Sequence, residues 1–252
     1  MTELKLGKLP ARPGAVRFAQ NTYFDEALPA PPPAHKAHQS LVHLWGMLGN
    51  DRAGDCVFAG AAHETMLWVA ETGETVPFTD DTVLADYTAV TGFNPEDPTT
   101  DQGTDMQVAA SYRRKVGVLD GFGRRHLVAA YLGITAADKA TLKQAVYRFT
   151  AVGIGIRFPR SAMAQFNNGR NWTVQAGSPI VGGHYIPAVG YDSRYVYVIT
   201  WGRVQKMTWG FFAKYCDESI AYLSTEMLSA GKSLEGFNLG QLRVDLARLP
   251  AA

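Results

Sequence analysis

The stretch that decides the fold is GNDRAGDCVFAGAAHETMLWVAE, residues 49–71. It opens as a polar loop that contains glycine, and from Cys56 onward small and apolar residues recur at helical spacing. This pattern predicts a largely buried helix that begins at or near Cys56. A cysteine at a helix N-terminus lies at the positive end of the helix dipole, which stabilises a thiolate. Cys56 is therefore either a nucleophile or a small buried residue at the start of a core helix.

A second segment, GGHYIPAVGYD at residues 182–192, places His184 at the start of an apolar strand. A neutral imidazole there can take the proton of a thiol and then hold an ion pair with the thiolate. A lone histidine at a strand start more often has a structural role. The catalytic interpretation therefore depends on finding Cys56 and His184 together, in this order along the chain.

The bulk properties are those of an ordinary globular protein. The chain has 252 residues, of which 46% are hydrophobic and 19% charged, with a formal net charge of +1. This length buries a core in one or two compact lobes. The absence of a basic excess predicts neither nucleic acid nor membrane lipid as a partner. No stretch approaches the roughly 18–20 apolar residues of a membrane span, and we expect no signal peptide in residues 1–10.

Only two cysteines are present, Cys56 and Cys216. Two cysteines cannot supply a disulfide framework, which favours a reducing, cytoplasmic compartment. They also exclude a cysteine-rich zinc site. We do not expect His35, His38 and His43 to bind a metal, because no acidic or cysteine ligand accompanies them in this proline-rich segment. No cofactor is predicted either.

The order of the predicted elements indicates an α+β fold. The predicted helices are the one at Cys56, one after an N-cap at Thr79, residues 105–116, residues 138–149 and a short one at 208–216. The predicted strands are residues 151–158, 184–191, 194–201 and 219–224. Helices first and antiparallel strands later fit one helical lobe that faces one sheet lobe across a cleft.

Three regions are predicted along the chain. Residues 1–40 form an extended arm, because six of the thirteen prolines lie there. The arm either wraps its own domain or docks on an assembly partner; its shortness and lack of helical periodicity disfavour an inhibitory prosegment. Residues 41–226 form the main domain. Residues 227–252 form a C-terminal extension, predicted to be helical around residues 239–249.

Together with Trp201-Gly202 after the next strand, these segments resemble papain-like (C1-type) cysteine peptidases. Residues 101–120 resemble the glycine turn and helix that follow the cysteine helix in that family. Residues 141–156 resemble its helix that leads into a strand. The resemblance covers roughly residues 45–226, in order, and it implies the two-lobed papain-like fold with a cleft between the lobes.

The resemblance also assigns roles to residues. Cys56 matches the nucleophile and His184 the general base and acid. Asn50, six residues before Cys56, stands where the family has a glutamine that donates to the oxyanion. The backbone N–H of Cys56 is the other oxyanion donor. Trp201 matches the tryptophan that packs over the residue supporting the histidine.

Two departures from the family pattern bear on activity. Ile199 stands where the family has the asparagine that orients the histidine, and isoleucine cannot form that hydrogen bond. Thr200 takes over this role only if the strand register shifts by one; otherwise Cys56 and His184 form an unassisted dyad. Asp55 precedes Cys56, and its carboxylate opposes thiolate formation unless Arg52 pairs with it.

Two functions remain open at this point. The first is a cysteine hydrolase, a peptidase or amidase, that acts on peptide or protein substrates. The second is a catalytically impaired papain-fold protein that works by binding or assembly. The GNDR…GDC and VITWG stretches are also similar to uncharacterised papain-like proteins of tailed phages and bacteria. That similarity implies a virion-associated component with a structural role.

Overall fold

The computed structural model describes residues 4–12, 30–35, 38–230 and 240. The first half of the domain is helical and ends in a small antiparallel hairpin. Its elements are α1 (Cys56–Glu71), α2 (Asp80–Thr91), α3 (Met106–Lys115), β1 (Val118–Leu119) and β2 (Arg125–His126). The predicted C-terminal helix around residues 239–249 lies outside the described residues, apart from Gly240.

The second half is built on a six-stranded sheet. Its elements are β3 (Val128–Ile134), α4 (Lys139–Phe149), β4 (Val152–Pro159), α5 (Arg160–Asn167), β5 (Ile180–Tyr191), β6 (Tyr195–Thr200), β7 (Arg203–Thr208), α6 (Trp209–Tyr215), β8 (Cys216–Ser224) and α7 (Thr225–Ser229). The strand order is β3-β8-β4-β5-β6-β7, and neighbouring strands are antiparallel. The predicted α+β class, with helices before an antiparallel sheet, is confirmed.

Among the described residues, five α-helices begin where the sequence supplies a capping side chain, and the caps of α2, α3 and α4 are examples. Thr79 accepts the backbone N–H of Thr82 in a capping box, as predicted. Asp105 and Asp138 cap α3 and α4 by accepting two backbone N–H groups each, without a capping box. By contrast, Asp55 precedes α1 without a side-chain cap hydrogen bond. The start of α1 therefore depends on tertiary packing, which is also what surrounds Cys56.

The sheet is buried on both faces, and β5 contributes alternate residues to two apolar cores. Ile186 and Ala188 pack into the core that includes α4 and α6, whereas Tyr185 and Val189 pack into the core that includes α1 and α2. This alternation follows from the two-residue period of a strand. Consecutive residues of β5 therefore pack against different cores.

A buried ion pair joins the helices to the sheet. Arg113 on α3 donates to Glu64 on α1 at 2.6 Å, and both side chains are at most 2% exposed. The hydroxyl of Tyr185 on β5 donates to the other Glu64 oxygen at 2.8 Å. The Arg113 guanidinium also lies 3.9 Å from the ring centre of Tyr222 on β8. Charges this deeply buried must be paired, so the network fixes how α1 sits on the sheet.

Several elements were not predicted, and each has a physical reason. Strand β7 (RVQKMT) is polar because it is the last strand of the sheet, with a neighbour on one side only. Strand β3 contains small residues that give a weak alternating pattern. Helix α5 has only eight residues. Within the described residues, no helix is long and apolar enough to cross a membrane.

We expect Glu64→Gln to reduce the free energy of unfolding by about 3–5 kcal/mol, because it leaves the Arg113 charge buried without a counter-ion. Urea denaturation followed by circular dichroism measures the change. The matched control is Asp80→Asn, which removes the carboxylate of an exposed pair with Arg52 and is expected to cost about 0–1 kcal/mol. Equal losses in the two variants would contradict the structural role of the buried pair.

Candidate active site

Cys56 is the first residue of α1 and is 2% exposed. Its Sγ accepts the backbone N–H of Tyr185 at 3.4 Å, and Tyr185 directly follows His184 on β5. The fold thus brings the two residues singled out in the sequence to the same place, where the start of α1 meets β5. Among the described residues, no hydrogen bond joins Cys56 Sγ to the His184 ring, whose Nδ1 has no hydrogen-bond partner there.

The His184 imidazole is held from two sides. Its Nε2 lies 2.7 Å from Oγ1 of Thr200, and its ring stacks on Trp201 with centroids 4.4 Å apart and planes at 17°. When the Thr200 hydroxyl accepts the proton of Nε2, Nδ1 becomes a bare acceptor. An imidazole in this tautomer is able to take a proton at Nδ1.

Strand parity explains why Thr200, and not Ile199, contacts the histidine. Ile199 packs in the core formed with α1, on the side of Tyr185. Thr200 is the next residue and therefore points to the opposite face, which is the face of His184. The contact between His184 and Thr200, which the sequence allowed only for a strand register shifted by one residue, is present. The role of Thr200 in orienting His184 during catalysis stays a prediction.

Trp201 reaches the imidazole from an unusual backbone conformation. The tight turn between β6 and β7 consists of Trp201 and Gly202, with φ of 45° and 74°. Two positive φ angles are those of the hairpin turn that matches strand twist, and they are rare for a bulky residue at the first position. Strain of this kind is often found at functional sites. Here it places the indole flat against His184.

Asn50 lies beside the cysteine loop and is 2% exposed. Its Nδ2 donates to the backbone oxygen of Ala53 at 3.1 Å, so the amide group is turned towards its own loop. An amide nitrogen carries two hydrogens, and one such bond leaves the second for another acceptor. The assignment of Asn50 as an oxyanion donor stays a prediction.

The condition that Arg52 pairs with Asp55 is not met. Arg52 is exposed and pairs instead with Asp80 on α2 at 2.7 Å. Asp55 is fully buried, and burial raises its pKa well above the usual range. Burial therefore favours the uncharged carboxyl, which opposes thiolate formation at Cys56 much less than a carboxylate does.

Both candidate catalytic groups are held neutral. Burial raises the pKa of the Cys56 thiol to about 12, against the smaller opposite effect of the backbone N–H groups of Tyr185 and Gly7. Burial also lowers the pKa of His184 to about 3. At neutral pH the structure therefore holds a thiol and a neutral imidazole, and the reactive thiolate is suppressed.

A segment of the N-terminal arm lies against this site. Residues 4–12, which we call the cleft segment, lie extended between the two lobes. Leu9 N donates to Thr104 O at 3.0 Å, and Thr104 N donates to Gly7 O at 2.7 Å. On the opposite wall, Lys8 N donates to Gly183 O at 3.1 Å. The cleft segment is therefore held by backbone hydrogen bonds from both sides, as an added strand would be.

Glycines line the cleft where the segment passes. A Cβ atom built at Gly54 would lie 2.8 Å from Leu6 O, one at Gly103 would lie 2.2 Å from Gly7 O, and one at Gly183 would lie 2.2 Å from Lys8 O. Each distance is too short for a real side chain. Without side chains on these walls, another backbone can approach closely.

The sequence did not place the cleft segment in the site. Its pattern, Leu4-Lys5-Leu6-Gly7-Lys8-Leu9, alternates apolar and basic residues before the glycine, which is typical of a short strand. The prolines of residues 1–40 pointed only to an extended arm. The sequence did not reveal which residues this segment pairs with, because its backbone hydrogen bonds reach residues about 45 to 180 positions away in the chain.

The histidines outside the site have structural contacts. His63 is 2% exposed, and its Nε2 donates to the backbone oxygens of Trp45 and Gly46, as expected of a core histidine. His38 contacts His35 and Glu71. In the part of the chain that the structure describes, no three metal-ligating side chains come together. The expectation that the protein binds no metal stays a prediction.

The arrangement of the chain is similar to that of solved cysteine proteases. Xylellain from Xylella fastidiosa gives a TM-score of 0.62 over 89% of this chain and 97% of that chain, at 13% identity. A procathepsin B from Trypanosoma congolense gives 0.64 over 87% and 86%, at 8% identity. A procathepsin L from the larval midgut of Tenebrio molitor gives 0.57 over 88% and 75%, at 13% identity. No protein-family model and no curated protein sequence matches the chain.

These similarities show that the chain has the papain-like α+β fold, as the sequence predicted. At such low identity they establish the fold alone. The similarity to phage and bacterial proteins stays a prediction, and so do the boundaries of the three regions.

We expect Gly7→Ala to expose the Cys56 thiol, because the added Cβ would lie 1.7 Å from the backbone oxygen of Gly54. Displacing the cleft segment removes the burial that raises the thiol pKa, so more thiolate forms at a given pH. Alkylation by iodoacetamide at pH 8, followed by mass spectrometry, should be at least about tenfold faster than in the unmodified chain.

The matched control is Gly210→Ala, since a Cβ at Gly210 meets no atom within 4 Å. It should leave the alkylation rate of Cys56 unchanged. The pH profile of alkylation should also move to lower pH in Gly7→Ala, because a lower pKa populates the thiolate earlier. An unchanged rate and profile would show that the cleft segment does not cover the thiol.

Proposed function

We propose that the chain is a papain-fold cysteine peptidase whose N-terminal cleft segment holds it in a closed state. The observation that carries the proposal is the extended peptide of the chain itself. It lies across a buried thiol at a helix N-terminus and is held by backbone bonds from both lobes. A cleft that binds one extended backbone in this way is suited to bind another.

The chemistry proposed uses groups already at the site. Once the cleft is open, His184 takes the proton of Cys56, and the thiolate attacks the carbonyl carbon of a bound peptide. The oxyanion is stabilised by the backbone N–H of Cys56 and the amide of Asn50. His184 then gives its proton to the leaving amine, and water hydrolyses the thioester to free the sulfur and release the acid.

The closed state explains why Cys56 and His184 are neutral and not hydrogen-bonded to each other. The N–H of Gly7 donates to the backbone oxygen of Gly183 at 3.2 Å, and the Gly7 carbonyl accepts from Thr104 N. The segment therefore occupies the cleft without offering that carbonyl for attack. An opened cleft admits water, which lowers the cost of forming charges on Cys56 and His184. Two of the similar structures are procathepsins, which fits a chain observed in a closed form.

Activity is tested in the Gly7→Ala variant with a library of proteome-derived peptides, and mass spectrometry identifies the cleaved bonds. We expect cleavage that disappears in Gly7→Ala/Cys56→Ser, because serine lacks the reactive thiolate. His184→Ala in the same background should reduce the cleavage rate by about 10²–10⁴-fold, which is the usual contribution of general acid–base catalysis.

The alternative is the catalytically impaired binding or assembly protein. It would be supported if Gly7→Ala cleaves no peptide and Cys56 reacts with iodoacetamide only above about pH 8, as a free thiol does. In that case the glycine-lined cleft would still bind an extended peptide, and the partner would be sought among proteins that carry such a segment.

Thr200 is tested as a positioning residue. Thr200→Val in the Gly7→Ala background keeps the side-chain shape but removes the partner of His184 Nε2. We expect a loss of about tenfold or more in kcat, with a smaller change in KM, because the imidazole loses its fixed tautomer. Thr200→Ser retains the hydroxyl and should restore most of the rate. Equal rates for the serine and valine variants would contradict the orienting role.

A further inference from the structure

The side chain of Lys8 enters a pocket in the wall of the cleft. The side chain is 1% exposed, and its Nζ lies 3.1 Å from Oδ1 and 3.2 Å from Oδ2 of Asp217 at the start of β8. Nζ also donates to the backbone oxygen of Leu9 at 3.0 Å. A buried ammonium is stable only with such compensation.

The depth of this pocket comes from a glycine in the middle of β4. A Cβ built at Gly155 would lie 2.1 Å from Cε and 2.8 Å from Cδ of Lys8. The same atom would lie 2.8 Å from the sulfur of Met106. The missing side chain at Gly155 is therefore the space that the methylene groups of Lys8 occupy. This gives a physical reason for a glycine within a central strand.

A second acid lies beside the first. Glu218 faces Gly155 across the pairing of β4 and β8. Burial raises the pKa of Glu218, and the nearby Lys8 charge opposes that rise. Gln107 donates to the Glu218 carboxyl. We use the name Lys8 pocket for the site formed by Met106, Gly155, Asp217 and Glu218.

We propose that the Lys8 pocket binds a lysine or arginine side chain of the substrate, so that the peptidase selects peptides with a basic residue close to the cleaved bond. This rests on the proposed function. Lys8 follows Gly7, and both residues donate their backbone N–H to the oxygen of Gly183, which directly precedes His184. A substrate peptide that replaces the cleft segment places one of its side chains in this pocket. The residue that carries this side chain lies one or two positions from the scissile bond.

The negative charge of Asp217 explains why the Lys8 pocket would favour a basic side chain. When the cleft segment leaves, the Asp217 carboxylate loses its counter-ion, although its side chain is only 19% exposed with Lys8 in place. A substrate with a neutral side chain would leave this carboxylate covered and unpaired, which costs binding free energy. A substrate with a basic side chain restores the pair.

Cleavage of the peptide library by Gly7→Ala tests the selectivity. We expect lysine and arginine to be enriched at one position near the cleaved bond. In Gly7→Ala/Asp217→Asn, the ratio of kcat/KM for a lysine peptide over its norleucine analogue should fall at least about tenfold. Norleucine keeps the four-carbon chain and lacks only the ammonium. The control Asp81→Asn, an exposed carboxylate on α2, should leave this ratio unchanged.

A binding measurement separates this inference from the proposed function. A synthetic peptide of residues 4–12, with lysine or norleucine at position 8, is titrated into Gly7→Ala/Cys56→Ser by calorimetry. The lysine peptide should bind at least about tenfold more tightly, and Asp217→Asn should abolish the difference. Equal affinities, or a difference that persists in Asp217→Asn, overturn the pocket assignment. A tenfold difference without any Cys56-dependent cleavage overturns the peptidase proposal alone.

Discussion

The contacts of Tyr185 fix helix α1 on strand β5, and the geometry of the site depends on them. Its backbone N–H bonds to the sulfur of Cys56, and its hydroxyl bonds to Glu64 two turns further along α1. Glycines make room for the Tyr185 side chain, since a Cβ at Gly60 or Gly153 would lie within 2.4 Å of one of its atoms. Because Tyr185 is adjacent to His184, holding Tyr185 against α1 also sets the position of the imidazole relative to the thiol.

The same close packing that assembles the site also suppresses it. A thiol that is buried between two lobes and a backbone segment has no solvent to stabilise its anion, and an imidazole stacked on Trp201 has none to stabilise its cation. A working Cys–His pair needs both charges. The thiol and the imidazole thus lie on neighbouring elements in neutral form, and under the proposed function access to the cleft is the variable that controls their chemistry.

The sequence predicted the parts of this site that depend on local pattern. Cys56 was placed by a loop that runs into an apolar helix, which is present. His184 was placed at the start of an apolar strand; the strand is present, but it begins four residues earlier, at Ile180, and His184 is where its buried part begins. The contact of Thr200 depended on strand parity, which local pattern left conditional. The cleft segment and its bond to Thr104 could not be predicted, because no local periodicity encodes a contact across the whole chain.

Two kinds of contact hold the cleft segment in place. The first kind is contact between glycines that line the cleft and the backbone of the segment. A side chain on Gly103 or Gly183 would collide with that backbone. Such contacts are common to every sequence and give affinity without selectivity. Selectivity must then come from positions where a side chain leaves the cleft. In the described structure Lys8 does so next to Asp217, whose partly buried carboxylate would make the proposed choice of side chain a matter of charge.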